Sequence, residues 1–177
     1  MHTFSTLLER LVLTPQRNVK LKLMSDYFRS VPDPDRGYAL AALTGELDIP
    51  SVKPAMLRAL VTARVDETLF YYSYDYVGDL AETISLIWPA KAVMPANDLR
   101  LSTIVERLQS ASRIEGPRLV ESLLDQLDTT GRWALIKLVA GGLRIGVSAR
   151  LAKQAIADIA GKPVNEIEEV GHAVSPP

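Results

Sequence analysis

The sequence contains no cysteine among its 177 residues. A disulfide framework, a thiolate metal site and a cysteine nucleophile are therefore excluded, and the composition fits a reducing cytoplasm. No apolar run approaches the roughly 18 uninterrupted residues that cross a bilayer. The N-terminal residues also lack the basic segment and long apolar run of a signal peptide. We therefore expect a cytoplasmic protein without a membrane anchor.

Signatures of catalysis are also scarce. The two histidines, His2 and His172, lie in the terminal segments, where a rigid site is seldom built. The chain has no Gly-Lys-Ser or Gly-Lys-Thr phosphate loop, no His-Glu-x-x-His and no Gly-x-Ser-x-Gly elbow. Asp79 and Glu82 could share a helical face for metal or acid–base chemistry, but acids in a first helical turn more often complement the helix dipole. We predict no catalytic residue and no metal site in this chain.

Apolar residues recur at helical spacing along most of the chain, and Asn-Gly or Asp-Gly hairpin signals are absent. The pattern predicts an all-α fold of about ten short helices. Thr14 followed by Pro15 predicts a helix start, with threonine as the N-cap. Residues 32–37 (Pro-Asp-Pro-Asp-Arg-Gly) predict a turn without regular structure. The segment 89–97, which carries two prolines, is the expected joint between two helical lobes.

Local signals also predict the helix boundaries in the second half of the chain. Asp98 is expected to cap one helix and Pro117 to begin the next. The threonine pair at 129–130 is expected to cap a further helix, which the glycine pair at 141–142 should end. The last helix is predicted over about residues 148–160.

Charge is distributed unevenly, although 20 basic and 21 acidic residues give a net charge of only −1. Between residues 129 and 157 the chain carries five basic residues and no acid, whereas residues 66–82 carry five acids and no basic residue. This polarity favours a local anion-binding site over a generally basic protein. The five basic residues are Arg132, Lys137, Arg144, Arg150 and Lys153.

A glycine-rich segment at residues 141–148 lies inside this basic stretch and leads into the last predicted helix. The N-terminus of a helix presents unpaired backbone N–H groups, and glycine allows a phosphate to approach the backbone closely. Arg144 and Ser148 would add further donors. The segment therefore predicts a phosphate-binding turn, and a helix–helix corner in which glycine serves packing alone is the equal alternative.

Four tyrosines, at positions 71, 72, 74 and 76, precede the acidic helix start at Gly78. They could stack on bases, but half-buried packing is the more common role of such residues. The alternative function is a helical scaffold that binds a partner protein through a groove and these tyrosines. Such a scaffold would need no cluster of basic residues.

Two segments resemble the N-terminal helical DNA-binding domain of ATP-dependent DNA ligases. They are residues 75–82 (Asp-Tyr-Val-Gly-Asp-Leu-Ala-Glu) and residues 142–146 (Gly-Leu-Arg-Ile-Gly) with Ala149. The opening resembles the bacterial branch of that family, through residues 14–21 (Thr-Pro-Gln-Arg-Asn-Val-Lys-Leu), Asp26-Tyr27-Phe28-Arg29 and the proline-rich turn at 32–37. The resemblance covers nearly the whole chain.

The resemblance implies an all-α domain of two pseudo-symmetric lobes over residues 1–170, which grips nicked duplex DNA from the minor-groove side through phosphate and sugar contacts. In the family the Leu-Arg-Ile-Gly segment touches the DNA backbone, which places the site first on Gly142, Arg144, Gly146 and Ser148. Charge adds Lys137, Arg150, Lys153 and Arg132. Charge and loop position add Arg113, Arg17 and Lys20.

The resemblance also implies that catalysis belongs to other domains. The family's nucleotide-accepting Lys-x-Asp-Gly motif is absent, because no lysine of this chain has those followers. Residues 171–177 are expected to be a linker towards adenylation and OB-fold domains, so that ATP and Mg²⁺ serve the parent enzyme and have no site here. The expected setting is DNA repair, replication or recombination in the bacterial cytoplasm, at the nucleoid.

Overall fold

The computed structural model describes residues 1–89 and 99–161. These residues form ten α-helices and no β-strand, which confirms the all-α prediction. No helix in these two ranges is long and apolar enough to span a membrane. The helices are α1 (His2–Leu13), α2 (Arg17–Ser30), α3 (Asp35–Thr44), α4 (Pro54–Thr62), α5 (Glu67–Val77), α6 (Leu80–Ile87), α7 (Leu101–Ser110), α8 (Glu115–Gln126), α9 (Thr129–Val139) and α10 (Ala149–Ala160).

The chain divides into two compact units. Unit 1 comprises Met1–Ser5 and Asp48–Gly142, and unit 2 comprises Thr6–Leu47 and Leu143–Pro177. Both units are therefore assembled from separated parts of the chain. The joint expected at 89–97 lies, apart from Pro89, outside the described residues, and so does the expected cap Asp98.

Unit 1 is held by packing of α6 on α9 and α5, and of α8 on α9 and α4. Phe70, Ile84 and Leu135 are fully buried. Arg64, which follows α4, donates hydrogen bonds to the carboxylates of Glu121 and Asp125 on α8. Unit 1 therefore has an apolar core, and the hydrogen bonds of Arg64 connect the end of α4 with α8.

Unit 2 packs α10 against α2 and α3. Met24 and Phe28 of α2 are fully buried, and so are Ala152 and Ala155 of α10. Small alanine side chains on one helix allow large side chains of the other to fill the space between the axes. This packing fixes the beginning of α10 relative to α2, although the two helices are more than a hundred residues apart in the sequence.

Several predicted helix starts were wrong by a few residues. Thr14 does not cap α2, because its hydroxyl donates to the carbonyl of Arg10 at 2.7 Å and the helix begins at Arg17. Helix α3 begins at Asp35, inside the segment predicted to be irregular. Helix α8 begins at Glu115 rather than Pro117, since Ser112 and Glu115 exchange side-chain to backbone hydrogen bonds.

The start of α9 was also misassigned, and its end was predicted correctly. Asp128 is the cap, with its carboxylate accepting from the Gly131 amide at 2.7 Å, and Thr129 is the first helical residue. The helix ends at Val139, just before the glycine pair. Helix α10 begins after the N-cap Ser148 and ends at Ala160, as the sequence predicted.

Candidate nucleic-acid interface

The segment 143–148 of unit 2 alternates between buried and exposed residues. Leu143 and Ile145 are buried, whereas Arg144 and Gly146 are exposed. Two apolar side chains therefore anchor the segment in unit 2 and leave the residues between and after them at the surface. We refer to residues 143–148 as the basic loop.

The backbone of the basic loop is left-handed at two positions. Gly146 has φ of 75°, and Arg144 has φ of 49°. Among the described residues, Arg144 is the one non-glycine residue with positive φ. This conformation costs a residue with a β-carbon of the order of 1 kcal/mol and is often retained where function requires it. The left-handed conformation makes Arg144 a candidate functional residue of the loop.

A surface recess of about 280 Å³ lies beside the basic loop. The first turns of α2 and α10 both contribute to it, and three of its seven lining residues are cationic. Its lining residues are Pro15, Arg17, Lys20, Gly146, Ser148, Arg150 and Leu151. Tertiary packing thus brings together five of the eleven residues that the sequence analysis selected, and Arg144 lies on the same loop.

Ser148 organises the α10 side of the recess. Its hydroxyl accepts from the Leu151 amide at 3.1 Å, which satisfies one of the first-turn N–H groups of the helix. The other first-turn N–H groups have no partner within a helix and carry the positive end of the helix dipole. Together with Arg17 and Arg150, this helix start makes the recess electropositive.

The cations of the recess are not neutralised within the part of the chain that the structure describes. No ion pair there involves Arg17, Lys20, Arg144 or Arg150, and no acidic side chain lines the recess. Lys20 does have a partner, since its ammonium donates to the Gly146 carbonyl oxygen at 2.8 Å. An anion entering the recess would therefore meet positive charge without displacing a carboxylate.

Three other selected cations are already engaged. Lys137 on α9 pairs with Asp79 at 2.9 Å, and Lys153 on α10 lies 3.8 Å from Glu46. Arg132 is buried and donates from Nε to the Leu124 carbonyl at 2.7 Å. These contacts hold helices together, so we leave the three residues out of the proposed interface.

The two remaining selected residues lie in unit 1, apart from the recess of unit 2. Arg113 is exposed, and Gly142 is the last residue of unit 1.

The pair Asp79 and Glu82 has a capping role. The Asp79 carboxylate accepts from the Glu82 amide at 2.9 Å and begins α6. Burial disfavours ionisation of Asp79, but this hydrogen bond and Lys137 outweigh the burial and lower its pKa. Among the described residues, no group of His, Asp or Glu is arranged to hold a metal ion.

The tyrosines of α5 divide into packed and exposed members. Tyr74 stacks on the buried Phe70 with ring centroids 6.0 Å apart. Tyr72 and Tyr76 are 74% and 93% exposed, respectively. The exposed pair lies in unit 1 among the acidic residues 66–82, a setting that repels phosphate.

Sequence reasoning missed the contact that joins the two sides of the recess. Lys20 and Gly146 are 126 residues apart, and neither residue predicts the other. The packing of α2 on α10 decides this contact, and the sequence carries no local signal for it.

Comparison with known proteins identifies the family to which the chain belongs. A family model described as DNA ligase N terminus matches residues 1–157. A search of curated proteins found no significant match. Because the family model spans most of the chain, including α2, the basic loop and most of α10, the chain belongs to the DNA ligase N-terminal family.

Proposed function

We propose that this chain is the DNA-binding domain of an ATP-dependent DNA ligase, and that it binds nicked double-stranded DNA through backbone phosphates without sequence preference. One observation carries the proposal: Arg17, Lys20 and Arg150 converge on the start of α10, beside Arg144, with no acid lining the recess. Cations and helix N-termini that bind phosphates fix the position of a protein on DNA and read no sequence.

In this proposal, the domain contributes to ligation by positioning the nicked DNA. A domain that holds both sides of a nick against the catalytic core converts an encounter of separate ends into a reaction within one complex. We assign the chemistry, with ATP and Mg²⁺, to adenylation and OB-fold domains of the same parent enzyme, because this sequence lacks a Lys-x-Asp-Gly motif. The proposed setting is DNA repair, replication or recombination in the bacterial cytoplasm, at the nucleoid.

Fluorescence anisotropy with labelled nicked and intact duplexes of two unrelated sequences tests the proposal. We expect equal affinity for the two sequences and tighter binding to the nick. The logarithm of affinity should fall with the logarithm of salt concentration with a slope of roughly −4 to −5, the value for ~4 to 6 phosphate contacts.

Two results would count against this function. Binding that ignores salt would exclude a phosphate-based interface. Absence of binding at low salt, with the protein folded by circular dichroism, would favour the protein-interaction scaffold, for which Tyr72 and Tyr76 offer an exposed surface on α5.

A further inference from the structure

The bond between the Lys20 ammonium and the Gly146 carbonyl points to a structural role for Lys20, in addition to the positive charge that it brings to the recess. We propose that Lys20 is a positioning residue, which holds the basic loop in the conformation that presents Arg144 to DNA. This inference rests on the proposed function, because it assigns the principal phosphate contact to Arg144 and the support of that contact to Lys20.

The geometry at Gly146 shows how closely Lys20 approaches the loop. The ammonium lies 2.8 Å from the carbonyl oxygen, and a β-carbon added at Gly146 would lie only 3.3 Å from the same nitrogen. Gly146 also has φ of 75°, which residues with a β-carbon rarely adopt. The positive φ favours glycine at this position, and the 3.3 Å contact shows how closely the end of the Lys20 side chain approaches the backbone of the loop.

The bond from Lys20 reaches the basic loop between its buried residues and the start of α10. Leu143 and Ile145 bury their side chains and anchor the first half of the loop. Regular helix begins only at Ala149, and Gly146 has no side chain with which to anchor the second half. A charge-assisted hydrogen bond from the first turn of α2 fixes the backbone at this point.

Arg144 lies two residues before this support, in a strained conformation that must be imposed by its surroundings. Without Lys20, the loop loses its restraint at Gly146, while the restraints from Leu143, Ile145 and the Ser148 cap remain. We expect the loop to stay attached but to sample other backbone conformations, in which the guanidinium no longer has a fixed position.

The test compares Lys20→Met with Lys22→Met, since both variants remove one positive charge from α2 and Lys22 is exposed. The first readout needs no DNA. Backbone ¹⁵N order parameters at residues 144–147 should fall from about 0.85, typical of rigid backbone, to below about 0.7 in Lys20→Met only. Unchanged order parameters would overturn the inference, whatever the DNA measurements show.

The second readout is a double-mutant cycle in DNA binding with Arg144→Asn. Lys20→Met should weaken binding about tenfold, the effect of losing one charge-assisted hydrogen bond, and should add less than about twofold in the Arg144→Asn background. Lys22→Met should have the same effect with and without Arg144. Lys20→Arg, which keeps a cationic donor, should restore both the order parameters and the affinity.

The outcomes separate the inference from the proposed function. If the fold losses of Lys20→Met and Arg144→Asn multiply, Lys20 contacts DNA independently and the inference is wrong, while phosphate binding stands. If the unaltered protein does not bind DNA, the proposed function fails, and a fall in order parameters still shows that Lys20 holds the loop.

Discussion

Arg144 combines a left-handed backbone conformation with an exposed side chain. Its left-handed backbone is more readily adopted by glycine or asparagine, and its side chain is exposed. The buried neighbours Leu143 and Ile145 hold this backbone, and the exposed guanidinium is left available for the anion binding that we propose.

Replacement of Arg144 by asparagine separates the backbone from the charge. Because asparagine tolerates positive φ, we expect Arg144→Asn to keep the thermal stability of the protein. The same variant should weaken DNA binding and reduce the steepness of the salt dependence by about one unit, without a change in sequence preference. Thermal denaturation and anisotropy at several salt concentrations measure the two effects.

Arg29→Gln is the control for this prediction. Arg29 is also an exposed arginine of unit 2, but it lies 3.6 Å from Asp26, so its charge is partly compensated. We expect Arg29→Gln to leave the salt slope unchanged. A slope that stays the same in Arg144→Asn would remove Arg144 from the phosphate contacts.

At the scale of elements, the start of α10 has two roles that a single residue can distinguish. Ser148 caps the helix, and the same residue lines the recess. Aspartate is as good a cap as serine and complements the helix dipole. Its negative charge would, however, lie where we propose that phosphate binds.

We therefore expect Ser148→Asp to keep or raise the melting temperature and to weaken DNA binding by at least about tenfold, since it replaces attraction for phosphate by repulsion. Ser148→Thr, which retains a capping hydroxyl, should keep both properties. Thermal denaturation and anisotropy are again the measurements. Unchanged DNA binding by a folded Ser148→Asp variant would place the interface elsewhere.

The contact between α6 and α9 contains the ion pair of Asp79 and Lys137. This pair and the capping hydrogen bond lower the pKa of Asp79 below its ordinary value of 3.8, against the effect of burial. A carboxylate with a lowered pKa stabilises the folded state above its unfolded-state pKa, and this stabilisation is lost as the pH falls through the folded-state value.

Asp79→Asn keeps a capping acceptor and removes the charge. It should lower the melting temperature at pH 7, and the difference from the unaltered protein should shrink as the pH falls below about 4. Asp66→Asn is the matched control, because Asp66 caps α5 by the same bond at 2.9 Å and is exposed. A difference that stays constant down to pH 2 would show that the ion pair does not contribute.

At the scale of the molecule, the net charge of −1 is the sum of a positively charged unit 2 and a negatively charged unit 1. Over its whole length unit 2 carries ten lysine and arginine residues against nine acidic ones, a net charge of +1. Unit 1 carries ten against twelve, a net charge of −2. Phosphate is therefore attracted to unit 2 more than to the molecule as a whole.

Hydrogen exchange across the whole chain tests this division. Nicked duplex should slow amide exchange in peptides that cover residues 14–20 and 143–151, because these segments line the recess or form the basic loop. Peptides that cover α5 should exchange at the same rate with and without DNA, since Tyr72 and Tyr76 lie among acids. Protection confined to α5 would contradict the proposed interface.

The sequence by itself determined the helical class, the end of α9 and both ends of α10, because helical periodicity, glycine and capping residues act within a few positions. It located the start of α10 and the glycine end of α9 for this reason. It failed at the starts of α2, α3, α8 and α9, where several residues able to cap or begin a helix stand close together; at α9, Asp128 caps the helix in place of the two threonines that follow it.

Only the tertiary structure decided which cations remain available. Three cations of residues 129–157 already have partners. Lys137 pairs with Asp79 where α6 packs on α9, Arg132 donates to the Leu124 carbonyl, and Lys153 lies near Glu46. Arg17 and Lys20, from the other end of the chain, line the recess because α2 packs on α10. The availability of a charge depends on its neighbours in space, and these are set by helix packing rather than by local sequence.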